Sequence, residues 1–128
     1  MSENLTLIRA LYAAYASRDM QTIFATLSPN IRITQTPLLP WGGTFEGSEG
    51  AQKFMGLLTG HIDSIAAIER IFEAGDQVVV SGRTSGTVKA NGAPFDVYIA
   101  HVLTVQDGKV VAADYFIDTP AMLAALAV

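Results

Sequence analysis

Hydrophobic positions divide the chain into a helical half and a strand half. Leu5, Ile8, Tyr12 and Tyr15 recur at three- and four-residue spacing, with Leu11 widening the stripe, and predict an amphipathic opening helix capped by Ser2 or Asn4. A second, short helix follows, with Asp19 as its cap and Met20, Ile23, Phe24 and Leu27 on one face; Ser28-Pro29-Asn30 is expected to end it. Residues 31–36 alternate, Ile31 and Ile33 against Arg32 and Thr34, and predict a strand. Two prolines and three glycines mark 37–47 as a long loop holding the only tryptophan, Trp41. Ser48 is expected to open a third helix, with Ala51, Phe54, Met55 and Leu58 on one side and Gly60 as its stop. From Ile62 the pattern is all strand. Gly75-Asp76, Asn91-Gly92 and Asp107-Gly108 each separate two runs rich in Val, Ile, Phe and Tyr, and so predict three hairpins. The strand after Ile62 cannot be phased: Ile68 and Phe72 favour one face and Ile65 and Ile71 the other, which points to a bulge. Asp118-Thr119-Pro120 opens a short apolar helix over 121–128. The sum is an α+β fold: a curved antiparallel sheet, three helices from the first half covering it, and a short C-terminal helix. No repeat or linker interrupts residues 1–128, which read as one domain.

The hairpins carry a register. With Asp107 and Gly108 as central turn residues and Gln106 opposite Lys109, His101 faces Asp114, Leu103 faces Ala112, Ile99 faces Phe116 and Val97 faces Asp118. Phe95, Val97, Ile99, His101, Leu103 and Val105 then share one face, apolar apart from the histidine. The same rule at Asn91-Gly92 sets Gly82 opposite His101, Thr84 opposite Ile99 and Gly86 opposite Val97, leaving room beside the imidazole. Pro94 cannot donate a ladder hydrogen bond and is a place for a bulge in that second register.

Composition narrows the class. Of the 128 residues 50% are hydrophobic and 16% charged, too apolar for a disordered chain, yet no stretch approaches the roughly 18 apolar residues of a membrane span. The surplus suits a ligand cavity or a subunit interface. A net charge of −4 without a basic cluster argues against nucleic acid as a partner. Cysteine is absent, which removes thiolate nucleophiles and cysteine-based metal sites, and the amino terminus lacks a signal-peptide core, so a cytoplasmic protein is expected. His61 and His101 have no cluster of carboxylates around them, and phosphate-loop and dinucleotide motifs are missing, so neither a metal nor a cofactor is expected.

Three features are similar to those of a known family. They are Tyr12-Ala13-Ala14-Tyr15-Ala16-Ser17-Arg18-Asp19, the loop Trp41-Gly42-Gly43-Thr44-Phe45-Glu46-Gly47, and the stretch from Asp107-Gly108-Lys109-Val110 to Tyr115-Phe116-Ile117-Asp118-Thr119. In them the chain resembles the nuclear transport factor 2-like superfamily, in its SnoaL-like and ketosteroid-isomerase-like branch. The resemblance implies a cystatin-like cone of curved sheet around a pocket, and a homodimer. It also allows chemistry to be tested residue by residue. Ketosteroid isomerases would need an aspartate base where this chain has Thr36, a helix-borne tyrosine where it has Leu11 and a protonated aspartate where it has His101. Limonene-epoxide-hydrolase relatives would match Arg83 but need a carboxylate at Ser85. SnoaL-type polyketide cyclases use an aspartate on the late strands, a part that Asp114 or Asp118 could fill.

The expected activity is a small cofactor-independent enzyme that binds an apolar, carbonyl-bearing molecule and moves a proton beside the carbonyl, in isomerisation, aldol cyclisation or dehydration. His101, Asp114 and Asp118 are the candidate catalytic residues, with Asp114 orienting the imidazole and favouring its charged form. Tyr15, Trp41, Phe54, Leu58, Ile99 and Phe116 are the candidate substrate-binding residues. The alternatives are a core His–Asp pair without chemistry, Asp118 as a plain helix cap, Trp41 as a plug, and a non-catalytic binding or dimerisation module.

Overall fold

Each amphipathic segment finds its partner in a computed structural model that describes residues 2–127. Helices α1 (Glu3–Ala16) and α2 (Met20–Thr26) are followed by β1 (Leu27–Gln35), β2 (Gly43–Glu46) and α3 (Gly47–His61). Strands β3 (Ile62–Ala74), β4 (Gln77–Val88), β5 (Pro94–Gln106) and β6 (Lys109–Ile117) form the meander, closed by α4 (Thr119–Leu126). The six strands make one sheet in the order β2-β1-β6-β5-β4-β3. All neighbours run antiparallel except β1 and β6, which are parallel. The Ser2 and Asp19 side chains accept the amides of Leu5 and Thr22 and so fix the starts of α1 and α2. One apolar cluster joins Ile8 and Ile23 of the helices, Ile33 of β1, Phe54 of α3 and Leu103 of β5.

Some boundaries differ from the pattern reading. Ser28-Pro29-Asn30 lies inside β1, and the 37–47 loop includes β2, paired with the end of β1. Helix α3 starts at Gly47 and runs past Gly60 to His61. The Asn91-Gly92 connection is wider than two residues, since Val88 and Ala93 close it, so His101 lies opposite Val80, and Gly82 opposite Ile99. At Asp107-Gly108 both residues have positive φ, 51° and 72°, as the tight turn requires. The ambiguous strand β3 does carry a bulge, between Ile68 and Arg70.

A second irregularity overturns the register that set His101 against Asp114. Gln106 does pair with Lys109 and Val105 with Val110, but Thr104 pairs with Ala112, so Val111 is an extra residue in β6. Beyond it, His101 faces Tyr115, Val102 faces Asp114 and Ile99 faces Ile117. A one-residue slip turns every later side chain over. Ala113, Tyr115 and Ile117 thus share the face of His101, while Asp114 and Phe116 are carried to the other side, where Phe116 is 57% exposed. The physical reason is the cost of burying an ionised carboxylate beside apolar groups, which the bulge avoids.

Candidate functional site

The concave face of the sheet and the inner faces of α1 and α3 enclose a cavity of about 110 Å³. Its wall is mostly aliphatic and aromatic, and its polar groups come from few residues. Tyr15, Trp41, Phe54, Leu58, Ile99 and His101 line it. Asp114 and Phe116 instead border a second hollow, next to Thr34 and Thr44, which shares Gln35, Tyr115 and Ile117 with the first. Asp118 lines neither; it caps α4, its carboxylate accepting the Ala121 amide at 3.3 Å.

His101 projects inward from the middle of β5, and the partner expected from the sequence is absent. The Tyr12 hydroxyl, delivered by α1, is hydrogen-bonded to Nδ1 of the imidazole. The two rings stack at 5.8 Å, and Tyr115 meets the imidazole edge-on at 4.6 Å. Burial without a facing carboxylate pulls the imidazole from 6.5 down to about 3, so the ring is neutral rather than charged. Burial also raises both phenols: Tyr12 well above its ordinary value, helped by Tyr115, and Tyr115 to about 12, helped by Tyr15. All three groups are uncharged hydrogen-bonding groups at neutral pH.

The remaining polar groups are fixed in pairs. Tyr15 shares a hydrogen bond of 3.0 Å with Ser64 on β3, and its ring is covered by the Arg18 guanidinium at 4.3 Å. The Trp41 indole, wholly buried, donates to Oε1 of Gln35 at 2.8 Å. Phe54 stacks on Tyr115 at 5.6 Å. Tyr115 hydrogen-bonds through its hydroxyl to no described residue, so among the described residues that group is available to a ligand.

Tyr12, Gln35, Ser64 and Tyr115 are polar lining residues that pattern reading did not assign to the site. Tyr115 was hidden by the bulge. Gln35 was legible, because the alternation that turns Ile31 and Ile33 inward continues to it.

A small α+β cone whose sheet and helices close over an internal, largely apolar cavity is the class that this architecture defines. The family model for the SnoaL-like domain matches residues 8–113, and the chain belongs to that family. An NTF2-like protein of unknown function from Burkholderia pseudomallei is 28% identical, with 100% of each chain covered and a TM-score of 0.93. TerC, crystallised with polyporic acid, is 25% identical over 99% of this chain and 100% of its own, with a TM-score of 0.90. An NTF2-like protein from Burkholderia thailandensis is 28% identical over 98% of both chains, with a TM-score of 0.88. No curated protein matches the sequence significantly. Among the described residues no helix is long and apolar enough to cross a membrane.

Proposed function

We propose that the cavity binds a flat, apolar, carbonyl-bearing molecule and promotes proton transfer beside its carbonyl. The observation that carries this reading is the Tyr12–His101 pair next to the Tyr115 hydroxyl, unpartnered among the described residues, in a mostly apolar wall. With the Tyr12 hydroxyl donating to Nδ1, the ring proton resides on Nε2, and a neutral imidazole then acts as a hydrogen-bond donor to a carbonyl oxygen. Tyr115 is the second donor. Two such donors stabilise the negative charge that develops on oxygen as an enolate forms, the proton leaving carbon for a solvent water, which is the base where no carboxylate of the described residues lines the cavity. Isomerisation, aldol cyclisation and dehydration all pass through that species. Tyr12 takes the orienting part expected of Asp114. The co-crystallisation of TerC with polyporic acid supports a small organic ligand.

A second reading, binding without turnover, is favoured by one observation: among the described residues no Asp or Glu lines the cavity to act as the base. The two separate on 1-tetralone in D₂O. Catalysis predicts protein-dependent deuterium exchange at the carbon beside the carbonyl, abolished in His101→Ala. Binding without faster exchange sinks the catalytic reading and leaves the second. No binding sinks both.

The outer face of β5 and β6 exposes Tyr98 and Phe116, 61% and 57% accessible, and supports a homodimer built on that face. Sedimentation of the wild type and of Phe116→Asp tests it; a wild-type monomer overturns it.

A further inference from the structure

We infer that Gln35, oriented by Trp41, is a second anchoring point for the ligand, so that the site selects flat molecules carrying two acceptor oxygens rather than one. This rests on the proposed reading of the cavity. Gln35 is only 6% exposed and lines the cavity wall. An indole N–H can only donate, so its 2.8 Å bond to Gln35 identifies the amide oxygen and assigns the other terminal atom as the NH₂ group. That NH₂ has no hydrogen-bond partner among the described residues. Among the described residues the buried side-chain polar atom without a partner is Thr34 Oγ1, so the Gln35 nitrogen is not sealed in the core but reaches accessible space, where a ligand's acceptor can meet it.

The strand order places this donor where a second oxygen would lie. Gln35 on β1 stands beside Tyr115 on β6, and Tyr115 pairs with His101 on β5. The three form a row across adjacent strands, each about 4.8 Å from the next. An oxygen held by Tyr115 and His101 leaves the amide at the far end of the row unanswered. A second oxygen on the opposite edge of a ring system answers it. Trp41 acts through Gln35 and is a positioning residue. The turn that carries it is braced by Leu39 N–H to Thr36 O and Gly42 N–H to Leu39 O, at 3.3 and 2.9 Å.

The test is calorimetric binding of two bicyclic probes of similar size, 1,4-naphthoquinone with two carbonyls and 1-tetralone with one. The wild type should prefer the quinone, and the preference should fall about three- to tenfold in Gln35→Leu, the worth of a hydrogen bond. Gln35→Glu keeps an acceptor for Trp41 but replaces the NH₂ donor by oxygen, and it should lose the preference equally. The quantity compared is the ratio of the two affinities within each protein, which cancels any general effect that a changed wall residue has on both probes alike. Trp41→Phe should lower the preference while leaving Gln35 in place. Circular dichroism identifies any variant that fails to fold, and the other carries the test. An equal loss of affinity for both probes overturns the anchoring role alone. Failure of the wild type to bind either probe overturns the cavity reading itself.

Discussion

Tyr12 and His101, 89 positions apart in the chain, are joined by a hydrogen bond from the first helix to the fifth strand. The contact ties the helical layer to the sheet at the cavity and fixes the orientation of the imidazole, which burial keeps neutral. The edge of Tyr115 closes its other side.

Stability should therefore depend on the protonation of His101. Folded, the ring takes up a proton only near pH 3; unfolded, it does so near 6.5. The unfolded chain is thus favoured by proton uptake as the pH falls from about 6.5 towards 3, by up to about 1.4 kcal/mol per unit, and the effect vanishes above 6.5. Urea denaturation at pH 7 and pH 5 should show the wild type losing about 2 kcal/mol more than His101→Phe. Equal losses in the two proteins would mean that the ring titrates normally.

Removing the hydroxyl in Tyr12→Phe keeps the ring packed but deprives Nδ1 of its partner. A destabilisation of about 1–3 kcal/mol is expected from the unmatched nitrogen. A double-mutant cycle with His101→Phe should return a coupling of similar size. Coupling near zero would show that the hydrogen bond contributes nothing beyond packing.

Asp118 should behave as a cap. Asp118→Ala should cost about 1 kcal/mol of stability, and Asp118→Asn much less, because the amide oxygen can still accept the Ala121 N–H. Affinity for 1-tetralone should be the same in all three proteins. A change in affinity without a change in stability would return this carboxylate to the site.

Deleting Val111 removes the extra residue of β6 and restores the uninterrupted register, with Asp114 and Phe116 turned into the cavity and Tyr115 out of it. The result should be an unfolded or strongly destabilised chain, by thermal melting, because the slip buries a carboxylate and exposes apolar side chains. A deletion variant with wild-type melting temperature and probe binding would show that the bulge does not set the site.

Much of this was legible before any coordinates. The spacing of Leu5, Ile8, Tyr12 and Tyr15, the caps Ser2 and Asp19, and the Asp107-Gly108 turn are local signals, and each marks its element. The inward face of β5, with one histidine among apolar residues, followed from alternation alone. The bulge did not, because Val110-Val111-Ala112-Ala113 carries no polar residue to mark which face is which. Gln35 was readable as inward, but its role depends on an indole from a loop that periodicity cannot place.

By itself the sequence determined the elements, their order, the apolar face of the sheet and the presence of an imidazole on it, because those depend on residues close together in the chain. Only the tertiary structure decided what surrounds that imidazole. A single extra residue in β6 exchanged Asp114 for Tyr115, and the packing of α1 over the sheet supplied Tyr12. Both are long-range choices, governed by the cost of burying a charge and by which surfaces meet.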